Sequence, residues 1–381
     1  MKIGFIAYHN PTDKRAASGT PFRIYKQLEK IGETTWIPIK KKGSWKFLRL
    51  PLYLYNKLPF IKKVDWEHTK YANLLKYKHI DNSILNDFDI IIANFCSSII
   101  TKKFNKPLIY LSDATFPAMV NYYEAYTNIP NFNIKQGFSI EKRAMELADK
   151  IILSSDWAKK SALKDLNIEE EKIKIIEFGA NLEDNYITQE TKNYHSNKFN
   201  ILFLGVKWER KGGNIAVETV RWLNENNVKA DLHIVGIKEL PENLLKLPFI
   251  KYHGFLDKNN DQDYNKINTI LKNSHILLLP TKAECSAIAF AEACMYGLPV
   301  FTHDTGGIGN YIINGLNGYK LSLGSTGKDF GKKIKKSLDN NECPYLSKKA
   351  RELYLSKLNW DNWGKEMSTI IKQLVYNGKN I

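Results

Sequence analysis

One stretch constrains this chain more than any other: Leu277-Leu278-Leu279-Pro280-Thr281-Lys282-Ala283-Glu284-Cys285-Ser286-Ala287-Ile288-Ala289-Phe290-Ala291-Glu292-Ala293-Cys294-Met295-Tyr296-Gly297-Leu298-Pro299-Val300. The unbroken apolar run before Pro280 reads as a parallel strand buried on both faces. A polar turn carrying Glu284 follows, and a helix of small residues starts near Ile288 and closes at Gly297. In an open parallel sheet, ligands bind in the crevice outside the carboxyl ends of the strands. Glu284 on the turn and Glu292 inside the first helical turns therefore face that crevice together. Between them, the helix start around Ala287, Ile288 and Ala289 offers free amides and a positive dipole end, suited to a phosphate.

The same alternation recurs along the chain. Lys2 to Ala7 forms an apolar strand, followed by a loop ending in Ser18-Gly19-Thr20-Pro21 and a helix to Ile31. Further strands are read at Asp89–Phe95, Leu108–Asp113, Lys150–Asp156, Lys174–Asn181, whose Phe178-Gly179-Ala180-Asn181 end is a turn, Asn200–Gly205, Leu232–Gly236 and Ile250–Gly254. Strands alternating with helices make an α/β protein with parallel sheets. Length supports two cores, with 381 residues in the chain. The domains expected are 1–182, with 361–381 returning to it, and 199–360, joined by a polar linker at 183–198.

After Asn200–Gly205 comes Val206-Lys207-Trp208-Glu209-Arg210-Lys211-Gly212-Gly213. A strand feeding a basic, glycine-ended loop and then a helix makes a phosphate site, because cations neutralise the oxygens and glycines let the backbone approach. A solvated basic loop is the plainer alternative.

Glu284 and Glu292, then Gly297-Leu298-Pro299-Val300, Asp304-Thr305-Gly306-Gly307, Asn317-Gly318-Tyr319 and the Gly205–Gly213 loop together resemble the signature of the retaining GT-B glycosyltransferases of family 4 (glycosyltransferase group 1). The resemblance implies a GT-B fold, two Rossmann-like domains facing each other across a cleft. It also implies a nucleoside diphosphate sugar donor, with a UDP-sugar first among the candidates, and a glycan or lipid-linked acceptor in cell-surface polysaccharide or glycolipid synthesis. By that likeness Lys211 and Arg210 stabilise the leaving diphosphate, Glu284 binds donor-sugar hydroxyls and Glu292 the ribose. No metal or cofactor is implied. The family's arginine falls by strict spacing on Val206, so Arg210 or Lys207 is expected to supply the missing cation. Gly236 is expected beside the base. Gly19, with Thr20, matches the glycine that approaches the donor diphosphate, although a turn before a helix would need it equally. Asp113 stands where many relatives have a histidine nearby; it serves either the acceptor or a helix cap.

Composition matters at two points. Lys and Arg number 56 against 40 Asp and Glu, a net charge of +16. Such a charge fits nucleic acid, an anionic membrane or an anionic substrate pool, and the abundance of Lys, Asn and Ile weighs against nucleic acid. Residues 40–63 concentrate it, interleaving Lys40, Lys41, Lys42, Lys46, Arg49, Lys57, Lys62 and Lys63 with Trp45, Phe47, Leu48, Leu50, Leu52, Tyr53, Leu54, Tyr55, Leu58, Phe60 and Ile61, with no acid among them. That pattern suits an anionic membrane surface, or an excursion packed on the first domain. Four scattered cysteines and a first strand that turns polar early fit a cytoplasmic protein, peripheral on the inner face of the membrane if residues 40–63 touch lipid. The rival readings are a nucleotide-sugar epimerase or inverting transferase, a non-catalytic sugar- or lipid-binding homologue, and a basic nucleic-acid binder.

Overall fold

The computed structural model describes residues 1–14, 16–59, 61–76, 80, 82–183, 192–194 and 198–379. Its contacts divide into two units, Met1–Ile176 with Gly364–Ile381, and Glu177–Trp363.

The first unit holds β1 (Lys2–Ala7), β2 (Glu33–Pro38), β3 (Ile90–Asn94), β4 (Leu108–Ser112), β5 (Lys150–Leu153) and β6 (Ile173–Ile175). They form one sheet in the order β2-β1-β3-β4-β5-β6, with every neighbouring pair parallel. β3 and β4 are buried at every position because helices cover both faces, which is why they read as continuous apolar runs. β2 escaped the sequence reading. It lies at the sheet edge, alternates exposed and covered residues, and buries only Ile37.

The second unit holds β7 (Phe199–Leu204), β8 (Ala230–Val235), β9 (Ile250–Tyr252), β10 (Ile276–Leu279), β11 (Val300–His303) and β12 (Gly318–Leu321). The order is β12-β11-β10-β7-β8-β9, so the strand order reverses between β10 and β7, where Leu277 lies opposite Leu202. In doubly wound sheets that reversal opens the ligand crevice. The helix Ile288–Met295 packs on Cys343–Ser356 and is buried from Phe290 to Met295, as its small residues allow.

The domain limits differ from the expectation. Residues 177–182 belong with the second unit: the Phe178 amide donates to Tyr311 Oη at 3.0 Å, and Trp360 Nε1 donates to Asn181 Oδ1 at 3.0 Å. Gly179 lies so close to the Trp360 backbone that a Cβ would come within 2.6 Å of its nitrogen. Most of the expected linker, 184–191 and 195–197, lies outside the described residues. Its described part packs with the second unit, since buried Tyr194 donates to the His275 carbonyl at 3.1 Å.

Residues 40–63 carry a helix, Trp45–Tyr55, in which no residue is buried. Phe47 is 83% exposed, and Leu50, Tyr53, Leu54, Leu58 and Ile61 are exposed too. Trp45, Leu48 and Leu52 are half-buried, so one edge of the helix is covered while the stripe through Phe47, Leu50 and Leu54 is not; Phe60 lies outside the described residues. The segment is tied down at its ends. Lys42 N donates to the Lys76 carbonyl at 2.8 Å, while the Asn56 side chain donates to Val64 O and accepts from Val64 N at 2.9 and 3.0 Å.

Candidate functional site

The site of the second unit is built by loops that leave β7 and β10, the two strands flanking the reversal. After β7, Lys207 caps the short helix Trp208–Lys211, and Gly212 ends it with a positive φ of 76°. A Cβ on Gly212 would lie 2.1 Å from the Pro280 carbonyl oxygen, so only glycine lets this loop meet the end of β10. The loops are then stitched together. Lys282 N donates to the Arg210 carbonyl at 2.8 Å, and Gly307 N, after β11, donates to the Glu284 carbonyl at 3.0 Å.

This stitching brings three of the expected residues together. Lys211 Nζ donates to Glu284 Oε1, and both residues are only 7% exposed. Arg210 Nη1 lies 3.2 Å from Glu284 Oε2 and 2.5 Å from the Ala283 carbonyl. A buried carboxylate with two cations beside it is compensated more than once, which leaves positive charge to offer an anionic ligand. Gly205 gives the Lys211 stem room, since a Cβ there would stand 3.0 Å from Lys211 Cγ.

Glu292 is 2% exposed, and Lys258 Nζ donates to its Oε1. Lys258, from the loop after β9, was not anticipated; nothing in Asp257-Lys258-Asn259-Asn260 distinguishes it from an ordinary polar loop. Gly236 adopts φ 98°, and its amide donates to the Gly254 carbonyl at 2.8 Å. Lys207 is exposed, as is Val206, so of the two cations expected to replace the family arginine, Arg210 is the one beside Glu284. At the helix start, one of the three amides expected to be free, that of Ile288, is engaged. Ile288 N donates to the Ser286 carbonyl at 3.1 Å, because the chain tightens before the helix begins.

In the first unit, Gly19 precedes the helix Thr20–Ile31 with φ 90°, and Thr20 is buried. Asp113 directly follows β4 and is half-buried. It is not the helix cap: Thr115 Oγ1 accepts from the Ala118 amide at 3.2 Å and takes that role.

The sequence reading also missed a polar cluster beside Asp113. His68 Nδ1 sits 2.5 Å from Asp65 Oδ2, and its ring stacks on Phe116 at 4.1 Å. Fully buried Glu141 accepts from the Phe116 amide and from Tyr110 Oη, the latter at 3.0 Å. Burial pushes the Glu141 carboxyl up, against the lowering effect of the Phe116 amide. Among the described residues, no group of three or more His, Cys, Asp or Glu side chains is arranged to hold a metal ion.

Two six-stranded parallel Rossmann-like sheets, the second with its carboxylate and cation cluster at the strand reversal, define a GT-B protein. Known structures agree. Sucrose-phosphate synthase of Thermosynechococcus elongatus shares the fold with a TM-score of 0.69 at 14% identity, covering 99% of each chain. Anabaena HepE in complex with UDP-glucose does so with a TM-score of 0.62 at 16% identity, covering 100% of each. Residues 186–353, all within the second unit, match the family described as glycosyl transferases group 1. Among curated relatives, the Escherichia coli UDP-Gal:alpha-D-GlcNAc-diphosphoundecaprenol alpha-1,3-galactosyltransferase is 24% identical over 235 residues, 58% of this chain and 59% of that protein. The chain spans about half the length of the curated relatives it matches.

Proposed function

We propose that this protein is a retaining, metal-independent glycosyltransferase of family 4, moving a sugar from a nucleoside diphosphate sugar to a glycan or lipid-linked acceptor in cell-surface polysaccharide or glycolipid synthesis. The observation that carries the reading is the buried Lys211–Glu284–Arg210 cluster at the strand reversal. As the donor bond breaks, charge grows on the diphosphate, and fixed cations in a water-poor site stabilise that charge without reorganising. Glu284 accepts from sugar hydroxyls and Glu292 from ribose hydroxyls, as ionised carboxylates can only accept. Gly236 flanks the base, Lys207 reaches in from solvent, and Ala287 to Ala289 contribute the helix dipole. Gly19, Thr20 and Asp113 are the substrate-facing residues of the first unit. A UDP-sugar is the favoured donor, since a curated relative and a structural neighbour both carry UDP-sugars in their names.

The same proposal places the protein in the cytoplasm, against the inner face of the cytoplasmic membrane. No helix among the described residues is long and apolar enough to cross a membrane. The exposed stripe of Phe47, Leu50 and Leu54, with Lys46, Arg49 and Lys57 around it, has the chemistry of an interfacial helix. Each basic residue near an anionic surface adds roughly 1 kcal/mol.

The test measures binding of a panel of UDP-, GDP- and ADP-sugars, and nucleotide release, in the wild type and in Glu292→Ala. The variant should stay folded and lose about tenfold or more in nucleotide affinity, as expected for a hydrogen bond to a charged group. Near wild-type binding and turnover would count against the site. Co-sedimentation with no preference for anionic vesicles would remove the membrane contact.

A further inference from the structure

We infer that the Asp65–His68 pair is a recognition group in the first unit for a hydroxyl of the sugar-bearing acceptor, an inference that rests on the transferase reading for the class of its ligand. An ionised carboxylate only accepts, so the 2.5 Å contact with Asp65 Oδ2 places the imidazole proton on Nδ1. In the neutral ring that leaves Nε2 with its lone pair. Nε2 has no hydrogen-bond partner among the described residues, and it is not one of the solvent-sealed polar atoms that lack one. Its outward chemistry is therefore that of an acceptor for an O–H group.

Much of the surrounding structure serves to hold this ring still. Asn133, with no exposed surface, spends its whole side chain on the turn that carries His68. Its Oδ1 accepts from Asp65 N at 2.6 Å, and its Nδ2 donates to the carbonyls of Asp65 and His68 at 3.0 and 3.1 Å. Phe116, the ring beneath His68, is gripped through its amide by Glu141 of the same helix, Asn131–Leu147. Gly137, between the two, lets that ring lie against the helix, since a Cβ would come within 2.2 Å of it. Buried polar groups of this kind cost stability unless every partner is met. Fixing an imidazole in orientation and tautomer through a carboxylate is how proteins prepare a histidine for a ligand. The ring also has the right address. Phe116 lies just beyond the carboxyl end of β4, beside Asp113, where ligands of such sheets bind.

The experiment uses the full-length chain and three variants. His68→Asn keeps a donor for Asp65 and removes the outer acceptor; His68→Gln keeps an acceptor near the Nε2 position. Asp65→Asn replaces the accepting oxygen with an amide that turns the tautomer over. Long-range proton–nitrogen spectra of His68, recorded at mildly alkaline pH, should show the proton on Nδ1 in the wild type and on Nε2 in Asp65→Asn. Transfer is then followed by nucleotide release from the donor that binds, with octyl glycosides of glucose, galactose and N-acetylglucosamine as acceptor probes. In His68→Asn and Asp65→Asn, acceptor kcat/KM should fall about three- to tenfold, as for one lost neutral hydrogen bond. His68→Gln should recover most of it, and donor affinity should stay unchanged in all three. A wild-type proton on Nε2, or His68→Asn transferring as the wild type does, overturns the inference while leaving the transferase reading intact. A wild type that binds no nucleotide sugar ends both.

Discussion

Glu284→Gln isolates the charge chemistry of the second unit. The substitution keeps the size of the side chain and removes the anion that holds Lys211, whose side chain is 9% exposed, and Arg210, whose side chain is 27% exposed. Removing one partner of a buried pair commonly costs about 3–5 kcal/mol, because the other charge stays desolvated. Arg210 can turn toward water and Lys211 cannot, so the lower end, about 3 kcal/mol, applies. For a domain the size of the second unit, each kcal/mol moves Tm by roughly 2–4 °C, giving a fall of about 6–12 °C. UDP should then reverse part of the loss, since its diphosphate supplies the missing counter-charge. A ligand at a hundred times its Kd adds about 2.7 kcal/mol, and in Glu284→Gln the added stability at equal UDP should exceed that of the wild type. Differential scanning calorimetry with and without UDP reads both quantities. A variant that melts within about 2 °C of the wild type and gains no more from UDP would refute the argument that Glu284 balances these cations.

Two further predictions test the frame around the site. Gly212→Ala must hold a positive φ of 76° and push against the Pro280 carbonyl; it should cost more than about 2 kcal/mol and abolish UDP binding. Gly324→Ala, where a Cβ meets nothing within 4 Å, should melt unchanged in the same scan. The stacked pair His233 and His253 makes stability depend on acid. Burial, and then the charge of His233, hold His253 down to about 4, and burial lowers His233 and His275. Unfolded imidazoles take protons near 6.5 and these do not, so stability is lost as pH falls from about 6.5 toward 4. The slope stays well below about 1.4 kcal/mol per pH unit per imidazole because the rings are partly solvated. Urea unfolding across that window, compared with His253→Gln, should show the variant with the flatter dependence.

What could be read from the residues followed from how local each signal is. β10 is apolar and buried throughout and β7 nearly so, Asn200 excepted, and their loops carry the glycines and charges in a short span, so strand, turn and helix were legible together. β2 was not, because Glu33, Thr34 and Thr35 at a sheet edge carry no apolar run. The pairing of Lys211 with Glu284 joins residues 73 positions apart, and proximity of that kind has no local mark. Lys258 and His68 share the difficulty: each sits in a polar stretch and gains meaning only from a partner brought by the fold, Glu292 for one and Asp65 with Phe116 for the other. The limit of the first domain differs because Phe178–Asn181 reads as the turn that closes it, while its hydrogen bonds run to Tyr311 and Trp360.

The single amide of Asn56, which binds both backbone groups of Val64, gives residues 57–63 the character of a cassette. One side chain latches both ends, so substitutions at positions 57–59 and 61–63 are expected to leave the turn that follows in place. A lineage could alter which surface it visits by editing those few positions alone, and an engineer could graft a foreign tether there with the same economy.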